Sequence, residues 1–137
     1  MTQDYAEKLE RLKNDTLTTD QFSHRDHIGV AFEALRAYEY FEASYVLASG
    51  LQRLTIRAGA TEKFNATVTM VFMSLIAERM EQTEYSDGDA FLEGNPDLLQ
   101  PGLLKGWYSP DRMASGLARK VAVMPDIGPQ SMENSPA

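Results

Sequence analysis

Apolar residues recur at helical spacing along most of this chain, and four main helices follow from the pattern. Tyr5, Leu9 and Leu12 fall at i, i+4 and i+7 with charged residues between them. That single narrow stripe predicts a helix ending near Asn14, and Thr16 to Thr19 reads as a polar connector. A second helix opens at Ser23, because Asp26 three residues on makes a capping-box-like pair with it. Ile28, Ala31, Phe32, Leu35 and Tyr38 then keep a 3.6-residue period, with Arg25, Glu33, Arg36 and Glu39 off the stripe. A third helix is predicted over roughly Glu42 to Ala58, closed by Gly59 in a left-handed conformation; Gly50 inside it either weakens the helix or marks a close helix contact. The fourth, about Asn65 to Gln82, is apolar nearly all round before Glu78 and is therefore expected at the centre of the bundle. Its β-branched Thr67, Val68, Thr69 and Val71 would also suit a strand, but the length favours a helix.

After Ser86 the texture changes. Gly88, Gly94, Pro96, Pro101, Gly102, Gly106 and Pro110 punctuate short apolar runs, which read as single-turn helices and loops packed on the bundle. Ser109-Pro110 sets a serine cap before a proline and predicts a short helix through about Ala118. From Met124 onward, prolines and polar residues predict a flexible tail. The expected architecture is all-α: a helical bundle of four main helices with short C-terminal helices. It makes one domain over 1–123, with an irregular tail over 124–137.

Composition narrows what such a bundle can do. Hydrophobic residues make up 43% and charged residues 24% of the 137, the balance of a globular domain. There is no cysteine, which removes disulfides, thiolate metal sites and a cysteine nucleophile. A net charge of −7 opposes nucleic-acid binding, which needs a basic stripe. Thr67 to Ala77, the longest nearly apolar stretch, is too short for a bilayer, and the charged N-terminus has no apolar signal core. The expectation is a cytoplasmic protein without membrane or nucleic-acid partners.

His24 and His27 are the two histidines of the chain. Three apart at a helix start, they share a face, and the positive helix end favours neutral rings fit for a ligand or a base. They also suit a structural role, with Phe22 packing against His27 as a staple. Third partners come from Asn65, Glu62, Glu78 and Glu33. Of these, Asn65 also suits an N-cap, and Glu78 the solvated end of its helix. Thr67 and Thr69 either back-bond to carbonyls a turn earlier or point into a pocket beside the histidines. Arg112, Arg119 and Lys120 suit an anion or a solvated face, and Trp107-Tyr108 a cleft or packing. Serine-hydrolase elbows, phosphate loops, dinucleotide glycine patterns and HExxH are absent from the sequence.

Three segments in order resemble a family of small bacterial proteins of unknown function. They are Phe22-Ser-His24-Arg-Asp26-His27, then Lys63-Phe64-Asn65-Ala-Thr67-Val-Thr69, then Trp107-Tyr108-Ser109 through Ala118-Arg119 to Pro125-Asp126. Members carry F-x-H-x-D-H, a middle motif like K-Y-H-E-T-x-T, and a tail like Y-S-x-x-x-L-x-S-x-x-A-R ending in P-D. The resemblance implies a pocket of three histidines and a carboxylate where the first two motifs meet. Here Asn65 and Ala66 stand where the family has its histidine and glutamate, which weakens a metal reading and leaves a binding one. Three functions follow as expectations. The first is a small-molecule- or partner-binding domain with a pocket at His24, His27, Asn65, Thr69 and Glu78. The second is an acid–base or divalent-metal enzyme using His24 and His27 with Glu78 or Glu33. The third is a homo-oligomer built on the methionine-rich fourth helix and Trp107-Tyr108.

Overall fold

The structure, a computed structural model, describes residues 4–128; among them are seven α-helices and no strand. The order is α1 (Tyr5–Lys13), α2 (His24–Ala37), α3 (Tyr40–Arg57), α4 (Ala66–Gln82), α5 (Gly88–Gly94), α6 (Pro110–Met113) and α7 (Gly116–Lys120), with 3₁₀ turns between several of them. The all-α class and the four main helices are as expected. No helix among the described residues is long and apolar enough to cross a membrane.

The helix ends follow local chemistry. Asp4 caps α1 by accepting from the Glu7 amide at 2.9 Å. Glu39 caps α3 through the Phe41 and Glu42 amides at 3.1 and 2.6 Å, so α3 opens at Tyr40, two residues before the sequence expectation. Gly59 takes φ +66 just past the α3 C-cap, the left-handed stop that its position predicts. Asp15 also has a positive φ of 60, a conformation that short polar side chains tolerate. Its Oδ1 accepts from Arg53 and Arg57 of α3, each at 2.8 Å. The connector after α1 is not wholly polar in role, for Leu17 is buried in the core.

The expected centre of the bundle is displaced. α2, not α4, is the hub: it packs against α1, α3, α4 and α5 and the turn Pro96–Leu99. Ile28 through Ala34 are buried without a break, and Gly29, Ala31 and Ala34 leave room for the neighbouring helices. Gly50 marks a close helix contact, since a Cβ there would stand 2.7 Å from Leu12 Cγ of α1. The apolar girth of α4 has another cause. Phe72, Met73 and Ile76 face the main core, while Val71 packs beneath a second cluster of Tyr108, Ala118 and Val123. Residues between Leu104 and Val123 thus cover the outer side of α4. The most exposed large apolar side chains are Phe41 and Tyr45 on α3, at 77% and 72%, and Met124 after α7, at 75%.

Thr67 ties that covering segment down. Its fully buried hydroxyl lies 2.9 Å from the Ala118 carbonyl and 2.8 Å from that of Val121, and accepts from the Val123 amide at 3.1 Å. One hydroxyl proton serves one carbonyl at a time, so the two share it. This is neither the back-bond nor the pocket role weighed for Thr67. Nearby, the Tyr108 hydroxyl donates to the Val123 carbonyl at 2.9 Å. We expect Thr67→Val to lower stability by about 2 kcal/mol, because it strands buried main-chain groups. Urea unfolding measures the loss, and faster amide exchange at Val123 would locate it. A change under about 0.5 kcal/mol would mean that the segment is held by packing alone.

The helix expected from Ser109 to Ala118 is two single turns. Ser109 caps the first through the Arg112 amide at 3.2 Å. Ser115 ends it, donating to the Arg112 carbonyl at 2.7 Å and capping the Ala118 amide at 3.1 Å. The first residues of the expected tail are fastened. Asp126 accepts from the Ser109 amide at 2.8 Å and its hydroxyl at 2.6 Å, Arg112 donates to the Met124 carbonyl at 3.0 Å, and the Ile127 amide donates to Trp107 at 3.0 Å. Residues 129–137 of that tail lie outside the described residues.

Candidate functional site

The first turn of α2 is fixed before its histidines are placed. Ser23 Oγ accepts from the Asp26 amide at 3.1 Å, and Asp26 Oδ2 accepts from the Ser23 amide at 2.8 Å, the reciprocal box that the sequence predicts. Asp26 Oδ1 then takes Lys8 of α1 at 2.8 Å. Burial would raise Asp26, but the Lys8 and Ser23 hydrogen bonds outweigh it and hold the carboxyl below its ordinary value.

On this turn His24 and His27 meet edge to face, ring centroids 6.1 Å apart. Phe72 of α4 packs against both, at 4.9 Å from His24 and 6.2 Å from His27. Phe22 stands 6.3 Å from His27 in the staple position. His24 Nε2 lies 2.9 Å from the Leu98 carbonyl. A carbonyl only accepts, so Nε2 carries a proton and a neutral ring leaves Nδ1 as the acceptor. His27 is different. It is half-buried as a residue, yet its Nε2 is sealed from solvent and has no hydrogen-bond partner. Burial first, and the neighbouring His24 second, push this imidazole down to about 4. The sequence reasoning expected neutrality from the helix dipole; for His27 the physical cause is desolvation.

His24, His27, Asn65 and Thr69 line one cavity of about 400 Å³ between α2, α3 and the start of α4. Lys63 stands on its wall, and Leu51, Leu54 and Phe64 are among its apolar sides. The grouping read from the sequence is therefore brought together for four of its five residues. Two of the four are engaged in holding the fold. Asn65 caps α4 by accepting from the Val68 amide at 3.0 Å and donates to the Met113 carbonyl at 3.0 Å. Thr69 back-bonds to the Asn65 carbonyl at 2.9 Å. The polar side chains left to a ligand are the imidazoles, the Thr19 hydroxyl and the Lys63 ammonium.

Glu78 is not part of this site. It is exposed and lines a different cavity, with Trp107 and Met124. It sits six residues beyond Phe72, about 9 Å along the helix at 1.5 Å per residue. Glu33 is buried and paired with Arg36 at 3.0 Å. Glu62 shares a third cavity with Arg119 and Lys120, Arg112 holds the C-terminal segment, and Tyr108 is buried on α4. Among the described residues no group of three or more histidine or carboxylate side chains is placed to hold a metal ion. With His24 Nε2 on Leu98 and no carboxylate lining the cavity, the two imidazoles do not make the three-ligand set that a divalent metal site requires.

Sequence reasoning missed Phe72 and Leu98 as partners of the histidines. It also missed a second cavity of about 600 Å³ that shares His24. The apolar pairs Leu98-Leu99 and Leu103-Leu104 were the available signal for that cavity. Comparison with protein-family models, curated proteins and solved structures finds no match.

Proposed function

We propose that this domain binds a small molecule in the cavity shared by His24, His27, Asn65 and Thr69. The observation that carries the reading is His27, whose ring lines a cavity large enough for a ligand while its Nε2 is buried without a partner. Unpaired polar groups in a sealed place are costly and are rarely kept without a use. The cavity volume falls within the range of about 300–1,000 Å³ typical of ligand sites, and its wall is apolar with a few directing groups. A neutral imidazole offers one donor and one acceptor, so the ligand presents a complementary polar group to His27 and an apolar body to Leu51, Leu54 and Phe64. Binding, rather than metal or acid–base chemistry, suits a site whose carboxylate candidates stand elsewhere. The motif resemblance supports a bacterial origin, and a cysteine-free chain is in keeping with a cytoplasmic setting.

The test is a fragment titration followed by nuclear magnetic resonance, using phenol, benzamide and indole. At least one fragment is expected to shift the His27 ring resonances together with those of Phe64. His27→Phe preserves an aromatic of similar size but removes both nitrogens, and should abolish that response. Fragments that perturb other surfaces while leaving His27 unmoved would overturn the reading.

A further inference from the structure

The cavity of about 600 Å³ shares His24 with the His27 site but has a different chemistry. Its walls include Phe72, Leu99, Leu103, Leu104 and Met113. The polar side chains that reach it are largely committed within the protein. His24 Nε2 is on the Leu98 carbonyl, Tyr108 donates to Val123, and Ser109 is held by Asp126. What remains is hydrocarbon wall, the Gln100 amide and one charge. Lys105 is the sole charged side chain lining the cavity and makes no ion pair among the described residues. Gly102, in a left-handed conformation at φ +85, lets the lysine stem fold over it. A Cβ at Gly102 would stand 3.2 Å from Lys105 Cδ and 3.6 Å from its Nζ. The exposed ammonium thus stands at the rim of the cavity, with no ion pair of its own among the described residues.

The charge is out of character for the chain. Acidic residues number 20 against 13 basic ones, yet no aspartate or glutamate lines this cavity. An apolar chamber with a lone cation at its edge complements an apolar body ending in one negative charge. We propose that this cavity is a binding site for an amphipathic monocarboxylate, its alkyl chain against Phe72, Leu103, Leu104 and Met113 and its carboxylate on Lys105.

The full chain is titrated by calorimetry with hexanoate, octanoate, decanoate and octan-1-ol, and decanoate binding is followed on methyl-labelled methionines. Affinity should rise with chain length by up to about fourfold per methylene, and decanoate should shift the Met113 methyl. Octanoate should bind more tightly than octanol by roughly threefold to fivefold, a gap that Lys105→Gln closes by weakening octanoate alone. Ala114→Trp places an indole into the cavity from an exposed wall position and should remove binding of both. Equal affinity for octanoate and octanol in the unmodified protein would overturn the proposal. So would decanoate binding that leaves the Met113 methyl unmoved, or no binding in a protein that light scattering shows to be a dimer dissociated by Ala114→Trp. That last result would assign the apolar surface to a second copy of this chain. Should Ala114→Trp fail to fold, Lys105→Gln and the Met113 methyl still decide the matter.

Discussion

Gly29→Ala is expected to lower the unfolding free energy by about 3 kcal/mol, at the upper end of overpacking penalties. A single methyl has this effect because of where Tyr5 lies. A Cβ at Gly29 would stand 2.5, 2.6 and 2.7 Å from three atoms of the Tyr5 ring, and one at Gly88 would stand 2.6 Å from another. The ring of α1 is thus slotted between α2 and α5, and Tyr5 is 1% exposed. It has no free side to yield toward. Relief requires α1 to move off α2, which would strain the Lys8–Asp26 pair that steadies the histidine turn. In thermal unfolding the change corresponds to a fall of roughly 10 °C for a chain of this size. Tyr5→Leu in the Gly29→Ala background should recover part of the loss, since the two side chains compete for the same space. A Gly29→Ala protein within about 1 kcal/mol of the parent would show that α1 rides loosely on the bundle.

Features set by neighbouring residues were legible in the sequence, and those set by distant ones were not. The Ser23–Asp26 box, the Asn65 cap and the Gly59 stop each depend on atoms within four residues, so composition at fixed spacing reveals them. The hub was misplaced because apolar girth has two physical origins. α2 is buried all round by other helices, through small residues that a hydropathy pattern undervalues. α4 is apolar all round because one side meets the core and the other meets the chain's own C-terminal segment. That segment is held by Thr67, and nothing in the local sequence distinguishes a threonine gripping residues more than fifty positions away from one that back-bonds, as Thr69 does. For the candidate site, helical spacing placed His24 and His27 together, and motif order placed Asn65 and Thr69 beside them. Glu78 failed on helical phase: nine residues past Thr69 it lies half a turn round α4 and lines the cavity of Trp107 and Met124 instead. Several motif positions, Thr67, Tyr108, Ser109 and Asp126 among them, here fasten the C-terminal segment.

Stability should fall by about 2–3 kcal/mol as pH drops from 6.5 to 4, and His27 should account for the fall. Its imidazole titrates at about 4 in the folded protein against an ordinary 6.5. Unfolding exposes the ring and raises its proton affinity, so protons favour the unfolded chain throughout that interval. The folded state therefore has its full stability above pH 6.5 and loses it progressively on acidification. The loss is complete near pH 4, where both states become protonated. The groups around the ring leave this direction intact, because His24 and Lys63 are the only other basic side chains lining its cavity and no carboxylate does. The carboxylates of Asp26 and Asp97 are held below their ordinary value of 3.8, so their contributions are lost only as pH falls below that value. The two windows are separable. Urea unfolding at half-unit steps from pH 7.5 to 3 should show the upper slope in the parent and a flat line over the same range in His27→Leu. If the slope persists in His27→Leu, the ring is solvated in the folded state, and the case for an unsatisfied nitrogen awaiting a ligand falls with it. If it vanishes, the imidazole is dry, neutral and unpartnered at physiological pH, which is the condition that a binding site at His27 requires.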